Sequence, residues 1–146
     1  MKKLLSFGLV SLISLIIMNQ SRAQQPVTDS LDIAAWTSTY DADKSSPTKV
    51  GHQFWFVDKE FLDGRTLKLS AVAPGLATHT PHQHAEDEFF FVLEGTAEFY
   101  LNGKTVEVKP YSTLYCPSWS MHGIKNVGDT ELKYLVIKKY QLEKNK

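Results

Sequence analysis

Beyond about residue 50, the hydrophobic positions of this chain fall into short runs of five to seven residues, rich in aromatic and β-branched side chains and closed by turn-forming residues. Such runs predict strands. They cover His52–Val57, Thr66–Val72, Glu88–Leu93, Ala97–Leu101, Lys104–Val108, Ser112–Cys116, Gly123–Val127 and Leu132–Ile137, with "DGR", "PGLAT", "EG", "NG", "KPY", "CPSWS" and "GDT" between them. The clearest hairpin is "LNGK", because Asn102 and Gly103 can both take positive φ in a type I′ turn. No stretch after Ala35 repeats apolar residues at the helical spacing, and no internal repeat is visible. Eight short strands in about 90 residues define an all-β domain, a sandwich or a barrel, over residues 51–140.

Residues 24–50 are polar and aperiodic, which predicts an irregular lead-in with one turn near Leu31–Trp36. Residues 1–23 have the pattern of an export signal. Lys2 and Lys3 form a positive start, "LLSFGLVSLISLIIM" is an apolar stretch too short to span a bilayer, and Ser21 and Ala23 offer small residues before a cut. A periplasmic or secreted protein is expected, with no membrane partner after cleavage. Cleavage after Ala23 would leave 123 of the 146 residues, enough for one core and too few for two. It would also remove Lys2, Lys3 and Arg22, leaving 13 basic residues against 16 acidic ones. That balance gives no electrostatic footprint for nucleic acid. Lys138, Lys139, Lys144 and Lys146 read as a solvated C-terminal end. The single cysteine, Cys116, excludes an internal disulfide and reads as a small buried hydrophobe.

Candidate chemistry is concentrated in "HTPHQHAEDEFFFVLEG", His79 to Gly95, where histidines and acids lead directly into a strand. On an extended chain His82, His84 and Glu88 point to one face, together with Phe90 and Val92. A carboxylate entering an apolar interior needs a partner, and a divalent cation is the most effective one. Glu86 has the same parity and competes with Glu88. Glu88 is preferred because it opens the apolar run, whereas Glu86 sits in the polar corner "AED". A closed sheet could bring His122 back opposite these residues. Three imidazoles and a carboxylate would suit one divalent transition metal: Mn, Fe, Co, Ni, Cu or Zn. His52 reads as structural, and Tyr100, Tyr111 and Tyr115 are all candidates for a pocket hydroxyl.

From Gly51 to Ile137 the chain resembles the cupins. Their first motif is matched by Gly75, His82, His84, Glu88 and Gly95, and their second by Pro117, His122 and Asn126. Two departures stand out: Gly75 lies one residue farther from His82 than usual, and Trp119 stands where the second motif has a turn glycine. An indole does not readily take the positive φ of that glycine, so the turn is expected to differ, with Trp119 at the barrel mouth or packed. The resemblance implies a jelly-roll barrel, metal ligands at His82, His84, Glu88 and His122, and a small-molecule substrate on the open positions. It implies an isomerase, lyase or decarboxylase acting on a sugar, uronate or organic acid. An Fe(II) dioxygenase and a non-enzymatic metal- or sugar-binding module are the alternatives. His79, at the rim, is the candidate general base. Phe89, Phe91 and Leu93 should form an outward apolar patch that pairs two copies into a homodimer, unless the aromatic strand "HQFWFV" covers it.

Overall fold

In the computed structural model, residues 33–141 are described. The expected export signal lies outside them, as do Lys144 and Lys146. A short 3₁₀ turn at Ile33–Trp36 falls where the lead-in was expected to turn, and a second spans Ala42–Lys44. Nine strands follow among the described residues: β1 (Ser46–Pro47), β2 (Gly51–Leu62), β3 (Arg65–Val72), β4 (Glu88–Glu94), β5 (Ala97–Leu101), β6 (Lys104–Val108), β7 (Thr113–Cys116), β8 (His122–Asn126) and β9 (Leu132–Lys139). They form a six-stranded sheet in the order β1-β2-β3-β9-β4-β7 and a three-stranded sheet in the order β6-β5-β8, with every pairing antiparallel. This is the expected all-β jelly roll. Among the described residues no helix is long and apolar enough to cross a membrane.

Three boundaries differ from expectation. The lead-in is not wholly irregular, because β1 pairs with Gln53 and His52. The aromatic strand runs on to Leu62, past the polar "DKE", because its edge pairs with β3 through two register shifts. β9 extends to Lys139, since Lys138 still has Thr66 on one side and Glu88 on the other.

The apolar cluster Val72, Phe90, Val92, Ala97, Phe99, Ile124 and Leu132 lies between the two sheets. The period of two sorts its surroundings into rows across the large sheet. Gly51, Val72 and Leu132 form an apolar end, Trp55, Lys68, Val136 and Phe90 a mixed row, and Thr66, Lys138, Glu88 and Cys116 a polar row at the other end. The barrel is therefore dry at one end and polar at the other. Asn126 closes the dry end: its amide donates to the Val72 and Thr130 carbonyls at 2.8 Å each, and its oxygen accepts from the Gly128 amide at 3.0 Å. Three satisfied bonds explain how a polar side chain can be fully buried there.

Tight turns hold the rows in register. Gly95 has φ +85°, and a Cβ on it would lie 2.8 Å from the Glu131 carbonyl oxygen. Asn102 and Gly103, at φ +46° and +84°, make the expected hairpin.

Candidate metal centre

His82 and His84 do not lie in a strand. They sit in the loop that leads into β4, which is stitched to β8 by a bridge between Ala77 and Lys125 and, at the histidines, by one between His82 and His122, where the two backbones are hydrogen-bonded at 2.8 and 3.0 Å. The bridge, and not strand parity alone, brings the two motifs together. Ligand atoms of His82, His84 and His122 lie within 4.8 Å of one another, and those of Glu88 and His122 fall in an overlapping group. Glu88 Oε1 is 2.9 Å from His122 Nε2, and Oε2 is 3.7 Å from His84 Nε2.

The hydrogen bonds around the rings prepare them as ligands. Nδ1 of His84 lies 2.7 Å from the Glu86 carbonyl oxygen, and Nδ1 of His122 lies 2.7 Å from that of Ser120. A carbonyl oxygen only accepts, so each Nδ1 carries a proton, which in the neutral ring leaves Nε2 as the atom with a free lone pair. His122 Nε2 is buried without a hydrogen-bond partner, as is His82 Nδ1. The 2.9 Å approach of Glu88 to His122 is close but not aligned for a hydrogen bond, as expected of two groups aimed at a shared third point. Burial, and then the neighbouring His122, pushes the His82 pKa below the ordinary histidine value, keeping that ring in the neutral form that binds metals. The donor set, the tautomers and the orphaned nitrogens all fit a divalent transition metal.

Glu86 lies outside this point. Its carboxylate is 3.6 Å from Nδ1 of His84 and 3.7 Å from Lys138 Nζ, so it touches a histidine from behind. His79 lines the same cavity with its ring 5.5 Å from that of His82, but it is exposed and not part of the cluster. Cys116 is fully buried beside Glu88, and burial together with that carboxylate pushes its thiol up to about 12. It is the inert apolar group expected, although its sulfur also lies within 4.8 Å of ligand atoms of Glu88 and His122.

Several expectations need correction. Lys138 is not a solvated tail residue. Its side chain is only 10% exposed, inside the barrel, with Nζ 3.0 Å from His84 Nε2 and 4.0 Å from Glu88. Trp119 does take the left-handed conformation of the glycine it replaces, at φ +61°, so the turn is kept despite the side chain. Its amide donates to the His84 carbonyl at 2.8 Å, and the indole is exposed, not part of the cavity lining. The tyrosines lining the cavity are Tyr134 and Tyr140, not Tyr100, Tyr111 or Tyr115; the Tyr134 hydroxyl meets Thr78 at 3.1 Å. The sequence reading does not single out Lys68, Tyr134 or Tyr140, because it assigns no inward face to β3 or β9. The cavity they line with the cluster has a volume of about 120 Å³.

The family described as "Cupin domain" matches residues 68–138. A 58-residue segment is 34% identical to a 5-nitrosalicylic acid 1,2-dioxygenase of a Bradyrhizobium species, covering 40% of this chain and 28% of that protein. A 73-residue segment is 31% identical to an oxalate-binding protein of Thermotoga maritima, covering 50% and 60%. Among solved structures, a predicted oxalate decarboxylase of Thermotoga maritima superposes with a TM-score of 0.57 at 27% identity, covering 60% of this chain and 78% of that one. The chain thus spans less than two thirds of the length of these two curated relatives.

Proposed function

Residues 68–138 of this chain are a cupin domain, and on that premise we propose that the protein is a metal-dependent enzyme of the isomerase, lyase or decarboxylase type, acting on a small organic acid. The observation that carries the reading is the convergence of three imidazoles and one buried carboxylate beside a cavity that His82, His84 and Glu88 line. His82, His84, Glu88 and His122 would hold the cation, which when bound would supply Lewis-acid polarisation of a substrate oxygen. The remaining work falls to the chain. Tyr134 is positioned to donate from the cavity wall, and burial raises its pKa so that it stays a neutral donor. His79, at the rim and open to solvent, can accept a proton from the substrate and release it to water. Phe90 and Val136 keep one wall dry, which strengthens every charge interaction inside. Two of the similar proteins are named for acids, which favours an organic acid over a sugar or uronate.

The dioxygenase among the relatives supports a second reading, Fe(II)-dependent oxygen chemistry at the same ligands. The oxalate-binding relative supports a third, binding without turnover. Loading the protein with each of Mn, Fe(II), Co, Ni, Cu and Zn and following organic-acid consumption together with dissolved O₂ separates the three. The proposal expects metal-dependent consumption without O₂ uptake. O₂ uptake supports the second reading, and saturable binding without consumption the third. His79→Ala should lower kcat at least about tenfold with metal content unchanged.

The export-signal pattern of residues 1–23 supports a location outside the cytoplasm. We also propose a homodimer formed through the outer face of the large sheet. Of the expected trio only Phe89 is exposed, Phe91 and Leu93 being half-buried; Tyr115 and Ile137 complete the patch instead, each of the three more than two-fifths exposed, and Phe89 packs on Tyr115 at 4.8 Å. β2 does not cover this patch, because β3 and β9 lie between it and β4.

A further inference from the structure

Two lysines, Lys68 and Lys138, line the cavity beside the histidine cluster. Lys68 stands directly opposite Val136, and Lys138 directly opposite Thr66, so the two side chains are diagonal neighbours on the inner face of β3 and β9. Lys138 has acidic neighbours, Glu86 at 3.7 Å and Glu88 at 4.0 Å. Lys68 has no carboxylate within ion-pair distance among the described residues. Its nearest named contact is the face of Trp55, 5.1 Å from the ring centre. An ammonium group turned inward without a counter-ion is costly unless something else supplies the charge.

A divalent cation makes the imbalance larger. Together with Lys68 and Lys138, and set against Glu86 and Glu88, it leaves the cavity with a net charge of about +2. A neutral sugar cannot relieve that charge. A compact anion can, and the space limits its size: a cavity of about 150 Å³ holds a benzene-sized molecule, and this one, at about 120 Å³, suits a somewhat smaller one of about five or six non-hydrogen atoms.

We infer that Lys68 and Lys138 form a carboxylate clamp, and that the substrate is a small organic acid whose carboxylate lies between the two ammonium groups while a second oxygen donor faces the histidine cluster. The inference rests on the metal-site reading for that second contact and for the cation's share of the cavity's charge, whereas the unpaired ammonium of Lys68 does not depend on it. Lys68 determines specificity: it touches no metal ligand, and its charge favours acids over isosteric amides. Thr66 and Tyr134, on the same walls, supply neutral hydrogen bonds that cannot make this distinction.

Calorimetric titration of oxalate, malonate and L-lactate, with uncharged L-lactamide as control, into metal-free and Mn-loaded protein tests the clamp. Wild type should bind at least one acid and discriminate against the amide. Lys68→Met should weaken acid binding by about tenfold to a hundredfold with metal content unchanged. Lys68→Arg, which keeps the charge, should restore part of the affinity and guards against a folding defect. Equal acid binding by wild type and Lys68→Met, equal binding of lactate and lactamide, or no acid binding in either form would overturn the clamp. If the protein takes up no metal but the metal-free form still binds acids through Lys68, the clamp stands and the metal reading fails. If metal binds normally while acid affinity ignores Lys68, the reverse holds.

Discussion

Glu86 and Glu88 are separated by one residue and by about one layer of contact from the same histidine. Glu88 reaches the Nε2 side of His84 and His122, whereas Glu86 meets the Nδ1 side of His84. Replacing Glu88 with Gln removes a buried charge from the ligand set, so metal affinity should fall at least about tenfold, whereas Glu86→Gln should change it only about threefold or less. Metal content after equilibration in limiting metal reads both. Cys116 gives a pH prediction for the metal-free protein. Its thiol is raised from an ordinary value of 9.0 to about 12 in the fold, so the folded state holds its proton where the unfolded chain has lost it. The associated stability is fully present below pH 9 and is lost as pH rises from 9 toward 12. Denaturant unfolding from pH 8 to 11 should show that decline, weakened in Cys116→Ala, and thiol reagents at pH 8 should label only unfolded protein. Glu88 was legible in the sequence because parity and the start of an apolar run marked it. Lys138 was not, because a lysine near a polar C-terminal tail reads as solvated until its strand is known to continue.

The period of two is what converts the strand pattern into a site. Rows such as Thr66, Lys138, Glu88 and Cys116 exist only because β3, β9, β4 and β7 pair in fixed register. The turn at Gly95 sets the exit of β4, and its Cβ position is occupied by the β9 backbone. Gly95→Ala should therefore cost roughly 2 to 4 kcal/mol, from left-handed strain plus collision. Gly103→Ala, at similar φ but in open space, should cost only about 1 kcal/mol. Thermal unfolding of both variants measures the difference; equal destabilisation would mean that the β4–β9 contact does not hold the register. Most strands were readable from aromatic and β-branched runs. The extension of β2 was not, because "DKE" is polar and the strand persists there through pairing with β3, a long-range property. The loop from His79 to Asp87 was likewise read as extended, yet the His82–His122 bridge that organises it joins segments far apart in sequence.

At the scale of the whole molecule, the two faces of the large sheet have different roles: the inner face carries Glu88, Lys68 and Lys138 toward the histidines of the loop and of β8, and the outer face carries Phe89, Tyr115 and Ile137. If that outer face pairs two copies, light scattering at micromolar concentration should give twice the chain mass, and Phe89→Asp should halve it without changing metal content. A monomeric wild type would remove the dimer and leave the site untouched. The central claim is narrower: one cation held by three imidazoles and one carboxylate. X-ray absorption at the edge of the bound metal tests it most directly. A cation held in this way has a first shell of nitrogen and oxygen at about 2.0–2.2 Å, with the outer scattering of three imidazole rings and no sulfur. A sulfur scatterer at about 2.3 Å, which only Cys116 could supply in the cluster, or a shell without imidazoles, would contradict it.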